Sequence, residues 1–230
     1  MYFSCSRLNK TIIDTILDSC YLILETYTAM FTSLNGHHLS EYLLVLEPNE
    51  ALQQKVLQLK QHFAATYDCP TAVYSKPHIT LLSCLQYTMA ESRWLPRLER
   101  IIAATDPFMV ELSDFGSFPT HTIFIQVKTK NPIIDLVKSL RPLQPMIKTD
   151  KDHKPHFIMD PHLTIARKLL PWQYEKGWLE YSNSQFTGRF MADHVLLMRK
   201  QMDAKKYEVV KRFQLLGQKQ TIEQSSLFDW

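Results

Sequence analysis

The sequence predicts an α+β fold of two pseudo-symmetric β-α-β lobes facing a central groove, with an extra helix at the N-terminus. A strand–helix–strand pattern occurs twice, and a separate amphipathic pattern precedes it. The chain has 230 residues, 45% of them hydrophobic and 21% charged, which is enough for a folded body with its own core. We therefore expect a helical extension at residues 1–40 and a single domain at 41–230. Its lobes should span about 41–120 and about 121–216.

The N-terminal segment has the apolar spacing of an amphipathic helix. Apolar residues recur every three or four positions, at Ile13, Leu17, Cys20, Leu24, Tyr27, Phe31 and Leu34. Asp14, Asp18 and Glu25 interrupt the apolar run, so the segment fits neither a membrane span nor a signal peptide. Such a helix either packs on its own domain or binds a partner, and the partner can be a second copy of the chain.

The repeated pattern begins after Ser40. In the first lobe, residues 43–46 predict a buried strand, the spacing of Leu52, Val56 and Leu59 predicts a helix, and residues 77–81 predict a second strand. The second lobe has the same order, with a strand at 123–127, a helix through Ile133, Val137 and Leu140, and a strand at 161–165. The offsets between equivalent elements are 80, 81 and 84 residues. An offset this steady indicates a duplicated unit.

Further elements complete the two lobes. The apolar pattern predicts strands at 108–112, 192–198 and 207–215, and helices at 91–103 and 172–180. The connecting segments are short, so we expect both lobes to belong to one compact body.

Each lobe carries the same five-residue phrase in its second strand. Pro-His-Ile-Thr-Leu occupies 77–81, and Pro-His-Leu-Thr-Ile occupies 161–165. Side chains two positions apart share one face of a strand, so His78 lies with Thr80 and His162 lies with Thr164. One His-x-Thr is expected about once by chance in such a chain, but two copies at equivalent places in a repeat are specific. We expect the two pairs to converge on one cleft.

Two histidines and two hydroxyls suit the opening of a cyclic phosphodiester by water. One imidazole takes the proton of the water, and the other protonates the leaving alkoxide. The threonine hydroxyls can donate hydrogen bonds to the phosphoryl oxygens as charge shifts in the transition state. This chemistry needs neither a metal nor another cofactor.

Composition excludes several other classes of enzyme. The chain has five glycines, no two of them closer than eleven residues, so it lacks the dinucleotide fingerprint, the P-loop and the G-x-S-x-G nucleophile elbow. A net charge of +3 suits a small anionic ligand or the end of a strand better than a long nucleic-acid duplex. Four cysteines without a C-x-x-C motif indicate reduced thiols and a cytoplasmic protein.

The duplicated lobes and paired His-x-Thr phrases resemble the two-histidine (2H) phosphoesterase superfamily, especially its 2'-5' RNA ligase-like and cyclic phosphodiesterase branch. The resemblance covers about residues 41–216. It implies a bilobal fold whose antiparallel sheets form the groove, and metal-independent hydrolysis of 2',3'-cyclic phosphate to the 2'-phosphate. It makes His78 and His162 the catalytic pair, with His78 as the acid and His162 as the base, and Thr80 and Thr164 the phosphate-binding hydroxyls. The expected ligands are an RNA end with a 2',3'-cyclic phosphate, or a small cyclic or 2'-5'-linked nucleotide.

Arg167 is a further candidate, because the second motif of the superfamily often carries an arginine at this offset that helps to hold the phosphate. Strict strand alternation places Arg167 on the face opposite His162. A bulge or a strand end before Arg167 would bring it to the phosphate, and otherwise it is structural. Ser83 occupies the equivalent place after the first motif.

Other interpretations stay open at this point. The same groove fits a non-catalytic module that binds a nucleotide or an RNA end, although binding alone does not need an acid and a base. A metal-dependent hydrolase would use His153, His156 and Asp160, whose spacing is more typical of a solvated loop. Four aromatic residues near the motifs can stack on a base or pack the rim, namely Tyr74, Phe118, Phe157 and Trp172.

Overall fold

A computed structural model describes residues 38–218 of the chain. In this range it contains the strands β1 (Leu39–Leu46), β2 (Ile79–Tyr87), β3 (Phe108–Phe118), β4 (Thr122–Val127), β5 (His156–Phe157), β6 (His162–Arg167), β7 (Thr187–Ala192), β8 (His194–Gln201) and β9 (Glu208–Gln214). The longer helices are α1 (Glu50–Thr66), α2 (Glu91–Ala103), α3 (Lys130–Ser139) and α4 (Pro171–Tyr181), and Gln144–Ile147 forms a single helical turn. The predicted mixed fold is confirmed.

The strands form one antiparallel sheet that curls into a half-barrel. Its order is β7-β3-β4-β6-β2-β1-β8-β9, and the short β5 pairs with β2 beside this path. The β2 and β6 strands, which follow the two His-x-Thr phrases, are neighbours at the centre of the sheet. Each half of the sheet is therefore built outward from one motif.

The two halves are interleaved along the sequence and differ from the predicted boundaries of 41–120 and 121–216. Strand β3 pairs with β4 and β7 in the second half, whereas β8 and β9 extend the first half beyond β1. A tight turn joins β3 to β4, and Thr120 adopts a left-handed conformation in it, with φ of 72°. Because the hairpin keeps β3 beside β4, the strands that follow β3 belong to the second half until β8, apart from the two-residue β5, which pairs with β2.

The predicted strand at 192–198 is two strands. Strand β7 ends at Ala192 and β8 begins at His194, so Asp193 alone carries the chain from one half of the sheet to the other. Such a short passage requires a strongly curled sheet. The N-terminal prediction of a helix at 1–40 lies outside the described residues except at its end, where Leu39 and Ser40 already belong to β1.

Helices cover the face of the sheet that carries the core. Asn49 caps α1 by accepting a hydrogen bond from the Leu52 amide at 3.0 Å, and α1 buries Leu52, Val56, Lys60 and Phe63. Helix α2 buries Trp94, Leu98 and Ile102 at the same helical spacing. Ile79 and Leu163 are fully buried on this face, so their neighbours His78, Thr80, His162 and Thr164 point to the opposite, concave face. None of the helices within 38–218 is long and apolar enough to cross a membrane.

Candidate active site

The register of the two central strands brings both His-x-Thr phrases together. Ile79 pairs with Leu163, and the strands are antiparallel. This register places His78 opposite Thr164 and Thr80 opposite His162. Directly opposite Cβ atoms in such a pair lie about 5 Å apart, and diagonal neighbours about 7–8 Å apart. The two histidines are diagonal neighbours, so their rings can stand on opposite sides of one phosphate group. All four side chains are partly exposed to the groove.

Both histidine rings are anchored by the backbone in the same way. His78 Nδ1 donates to the carbonyl oxygen of Lys76 at 2.7 Å, and His162 Nδ1 donates to the carbonyl oxygen of Asp160 at 2.8 Å. A carbonyl oxygen can only accept, so the proton of each neutral ring is at Nδ1 and the lone pair is at Nε2. The anchor fixes both the tautomer and the orientation of each ring. Each Nε2 can therefore accept or deliver a proton in the groove.

A β-bulge in each central strand changes the alternation of side chains after the motif. In β6, Phe124 pairs with Thr164 and Ile123 with Ala166, so Ile165 is an extra residue. Ile165 and Ala166 are both buried, and Arg167 returns to the face of Thr164. The bulge therefore brings Arg167 to the groove face. Strict alternation of side chains along the strand would have placed Arg167 on the opposite face.

The first motif strand has the equivalent bulge. Leu44 pairs with Leu82 and Val45 with Thr80, so Leu81 is the extra residue in β2. Ser83 therefore occupies the groove face at the place that corresponds to Arg167. On the other side of β2, Ser83 pairs with His156 of β5, which brings this exposed imidazole to the same face. The two ends of the groove thus differ, with a guanidinium at one end and a hydroxyl and an imidazole at the other.

Two aromatic rings hold His162 from the side. The centroids of Phe118 and Phe124 lie 4.9 Å and 5.0 Å from the His162 ring, and the two phenyl centroids are 4.7 Å apart. Gly116 makes room for this cluster, because a Cβ atom built at this glycine would lie 2.5 Å from Phe124 Cε2. Phe118 thus matches the prediction of a ring near the groove, but it packs on a histidine.

The surroundings of His78 are cationic and partly buried. Burial lowers the pKa of His78, the hydrogen bond to Lys76 opposes this effect, and the positive charges of Lys60, Arg167 and His162 lower the pKa further. The neutral form of His78 is therefore favoured near neutral pH.

A charged cluster lies at the Arg167 side of the groove. Glu41 forms an ion pair with Lys200 at 2.8 Å. Burial alone would raise the pKa of Glu41, but hydrogen bonds from Lys200 and Tyr207 and the charges of Lys200 and Arg167 lower it below its ordinary value. Arg167 itself has no ion pair within 4.0 Å among residues 38–218. Its guanidinium is thus available to an anion in the groove.

Sequence reasoning missed Lys60, Phe124 and Glu41. Lys60 had the clearest signal, because it continues the apolar stripe of Leu52 and Val56 at helical spacing. A lysine on the buried face of a helix is unusual and points to a specific partner. Phe124 and Glu41 gave no comparable signal, since each falls where an ordinary strand residue is expected.

The remaining predicted residues lie apart from the histidine pair or make other contacts. Tyr74 is 78% exposed and Trp172 43% exposed, so both rings are on the surface. Phe157 lies under the guanidinium of Arg141, at 5.5 Å. His153 bonds to Asp150 at 2.8 Å, and Asp160 to Lys130 at 3.0 Å. Among residues 38–218, no three His, Cys, Asp or Glu side chains form a group that could hold a metal ion.

Comparisons with known proteins agree with this architecture. A structure of TT0787 from Thermus thermophilus superposes with a TM-score of 0.54 at 17% identity, covering 78% of this chain and 100% of that chain. Apo LigT from E. coli gives a TM-score of 0.52 at 15% identity, with 77% and 98% covered. E. coli LigT complexed with 3'-AMP gives 0.53 at 15% identity, with the same coverage. A search of curated protein sequences gives no match.

A family model describes most of the folded region. The model of the 2'-5' RNA ligase superfamily matches residues 48–204, which include both central strands and both His-x-Thr phrases. The sheet order, the paired phrases and this match agree with one another, and they confirm the resemblance that the sequence showed. The chain belongs to the 2'-5' RNA ligase superfamily of 2H phosphoesterases.

Proposed function

We propose that the protein hydrolyses a 2',3'-cyclic phosphate, at an RNA end or on a nucleotide, to the 2'-phosphate without a metal. One observation carries the proposal. The Ile79–Leu163 register sets the two His-x-Thr phrases side by side, with each histidine anchored at Nδ1 and open at Nε2. A proton acceptor and a proton donor on two sides of one phosphate are what in-line opening of the ring requires.

The reaction needs one water molecule and two proton transfers. A neutral imidazole accepts a proton from the water as its oxygen bonds to phosphorus. The bond from phosphorus to the 3'-oxygen breaks, and the second imidazole, which is protonated, gives its proton to that oxygen. The products are a 2'-phosphate and a 3'-hydroxyl. Each histidine ends in the protonation state in which the other began, so exchange with solvent restores the pair.

The electrostatics favour His78 as the base and His162 as the acid, in the hydrolytic direction. The lowered pKa of His78 keeps this ring neutral near neutral pH, and a base must be neutral to accept a proton. This order is the reverse of the one that the resemblance implies. The pseudo-symmetry makes the two rings nearly equivalent in position. The surroundings of each ring therefore decide which histidine is the base and which is the acid.

The hydroxyls and Arg167 stabilise the phosphoryl group. Thr80 and Thr164 lie opposite the histidines and can donate to the two nonbridging oxygens, where negative charge shifts during the reaction. Arg167 lies on the same face at one end of the groove and attracts the anionic ligand. Nucleotides are therefore a class of ligand that suits this groove. E. coli LigT, a protein of this fold, has been crystallised with 3'-AMP.

Incubation with 2',3'-cyclic mononucleotides, followed by ³¹P NMR, tests the proposal. We expect a 2'-phosphate product, activity that survives EDTA, and a loss of at least about 10²-fold in kcat/KM for His78→Ala and for His162→Ala. His153→Ala is the matched control, because His153 is an exposed imidazole bonded to Asp150. A folded His162→Ala protein with wild-type rate contradicts the proposal. Binding of the nucleotide without turnover indicates the non-catalytic module instead.

A further inference from the structure

Lys60 is a fully buried lysine on the helix that packs against β6. It belongs to α1, and its side chain is 1% exposed, between Val56 and Phe63 on the core face of the helix. Burial of an ammonium group costs free energy unless hydrogen bonds compensate for the lost water. Within residues 38–218, no ion pair includes Lys60. Its charge therefore has no carboxylate partner in this part of the chain.

The contacts of Lys60 lead directly to His78. Lys60 Nζ donates to the carbonyl oxygen of Ser75 at 2.7 Å and to Ser75 Oγ at 3.1 Å. The next residue, Lys76, supplies the carbonyl oxygen that anchors His78 Nδ1 at 2.7 Å. The ammonium group thus fixes the segment that sets the tautomer and direction of the His78 ring.

The charge of Lys60 also reaches the groove. It contributes to the lowered pKa of His78, and burial together with the charge of Arg167 lowers the pKa of Lys60 itself to about 8. Lys60 and Arg167 approach the phosphate position from different elements, α1 and β6. An anion bound between the histidines would provide the countercharge that Lys60 lacks.

The second motif has a weaker counterpart. Asp160, whose carbonyl oxygen anchors His162, is held by Lys130 through a side-chain ion pair of 3.0 Å in which both partners are about half exposed. Exposed pairs of this kind contribute little. A buried cation therefore supports only one of the two histidines, and this asymmetry matches their different protonation roles.

We propose that Lys60 is a positioning residue of the active site, which orients His78 through the Ser75–Lys76 segment and adds a buried positive charge to the phosphate site. This inference rests on the proposed function. It assigns to a core residue outside the groove lining a role in anion binding and in setting the protonation of His78.

The variant Lys60→Met tests the proposal, with Lys55→Met as the matched control. Lys55 lies on the same helix and also donates to a backbone carbonyl, that of Thr187 at 2.8 Å, but it is exposed and remote from His78. NMR titration of labelled histidines in the full chain should show the His78 titration moving to higher pH by at least about half a pH unit in Lys60→Met. Sulfate affinity should fall about fivefold or more, and kcat/KM about tenfold.

Lys55→Met should leave all three measurements unchanged. An unchanged His78 titration together with unchanged sulfate affinity in folded Lys60→Met overturns the proposal. If Lys60→Met does not fold, sulfate binding by the wild-type chain decides instead. Sulfate keeps its charge between pH 7 and 9, so its affinity should fall over this range as Lys60 loses its proton, and a constant affinity overturns the proposal. If cyclic nucleotides are not hydrolysed but His78 and sulfate still respond to Lys60→Met, the proposed function fails and the role of Lys60 stands.

Discussion

His78 and His162 have the same hydrogen bond at Nδ1, yet burial and the charges of Lys60 and Arg167 lower the pKa of His78. If His78 is the base, the acidic limb of the kcat/KM profile lies below pH 6.5, the ordinary pKa of an imidazole. In His162→Ala the residual rate should rise with pH as His78 becomes neutral. In His78→Ala it should fall with pH, because the remaining imidazole must be protonated to act as the acid. Profiles of the opposite slope would exchange the two roles.

Replacement of either motif threonine should lower kcat without moving the limbs of the pH–rate profile. A hydroxyl that donates to a phosphoryl oxygen does not ionise near neutral pH, so its removal leaves the pH limbs in place. We expect Thr80→Val and Thr164→Val each to lower kcat by about tenfold or more. A steady-state pH series for each variant checks this. A displaced limb would mean that the threonine acts on the protonation of the opposite histidine.

Lys60 also has a measurable effect on stability. Burial lowers the pKa of Lys60 from its ordinary value of 10.5 to about 8 in the folded chain. This shift lowers the free energy of unfolding by about 3 kcal/mol at neutral pH. Between these values the unfolded chain binds more protons, so the wild-type protein gains stability as pH rises. Loss of the bonds to Ser75 costs about 1–3 kcal/mol, so Lys60→Met should have near wild-type stability at pH 7.

Urea unfolding at pH 7 and 9.5 separates these effects. From pH 7 to pH 9.5 the free energy of unfolding of the wild-type protein should rise by about 2 kcal/mol relative to that of Lys60→Met, because only the wild-type chain contains the titrating lysine. An equal difference at both pH values would show that Lys60 is not destabilised by burial.

At the scale of elements, the bulges in β2 and β6 decide which side chains enter the groove. The sequence predicted both central strands and the faces of His78 and His162, because alternation holds up to Thr80 and Thr164. It could not place Arg167, since a bulge depends on pairing with the neighbouring strand and leaves no pattern of its own in β6. The only sequence signal of this bulge is the pair of consecutive apolar residues before Arg167.

Arg167→Met tests the consequence of the bulge. Loss of the guanidinium from the groove face should raise KM for a cyclic nucleotide about tenfold and leave kcat less affected, because the charge attracts the ligand before and during the reaction. Arg212→Met, which removes an arginine from the outer strand β9, is the control. An unchanged KM in Arg167→Met would make this arginine structural.

Gly116 tests the packing of His162. A methyl group at this position would meet the Phe124 ring at 2.5 Å, and that ring is held between Phe118 and His162. Gly116→Ala should therefore lower kcat by displacing His162. Gly188→Ala is a matched control, since its Cβ atom would be equally crowded but against Leu52, at 2.7 Å. Both variants should lose stability, but Gly188→Ala should keep kcat. Equal kcat values in Gly116→Ala and Gly188→Ala would show that Phe124 does not position His162.

At the scale of the whole molecule, the duplicated β-α-β unit explains what the sequence could predict. The repeat carries both motifs, so it was sufficient to place His78, Thr80, His162 and Thr164 in one groove. The outer strands are not duplicated in sequence order, because β3 joins the second half before β4, and β8 returns to the first half. Local patterns report burial and period but not the partner of a strand, so the boundary between the halves had to come from the structure.

The N-terminal segment can be tested separately from the groove residues. The groove residues described above all lie within 38–218, and β1 begins at Leu39, so deletion of residues 1–36 leaves every strand of the described sheet in place. If the apolar seam of that segment binds a second copy of the chain, the truncated protein should become smaller by light scattering and keep its kcat/KM for a cyclic nucleotide. Full-length protein measured at the same concentration is the control. Precipitation or unfolding of the truncated protein would show instead that the seam covers an apolar face of its own domain.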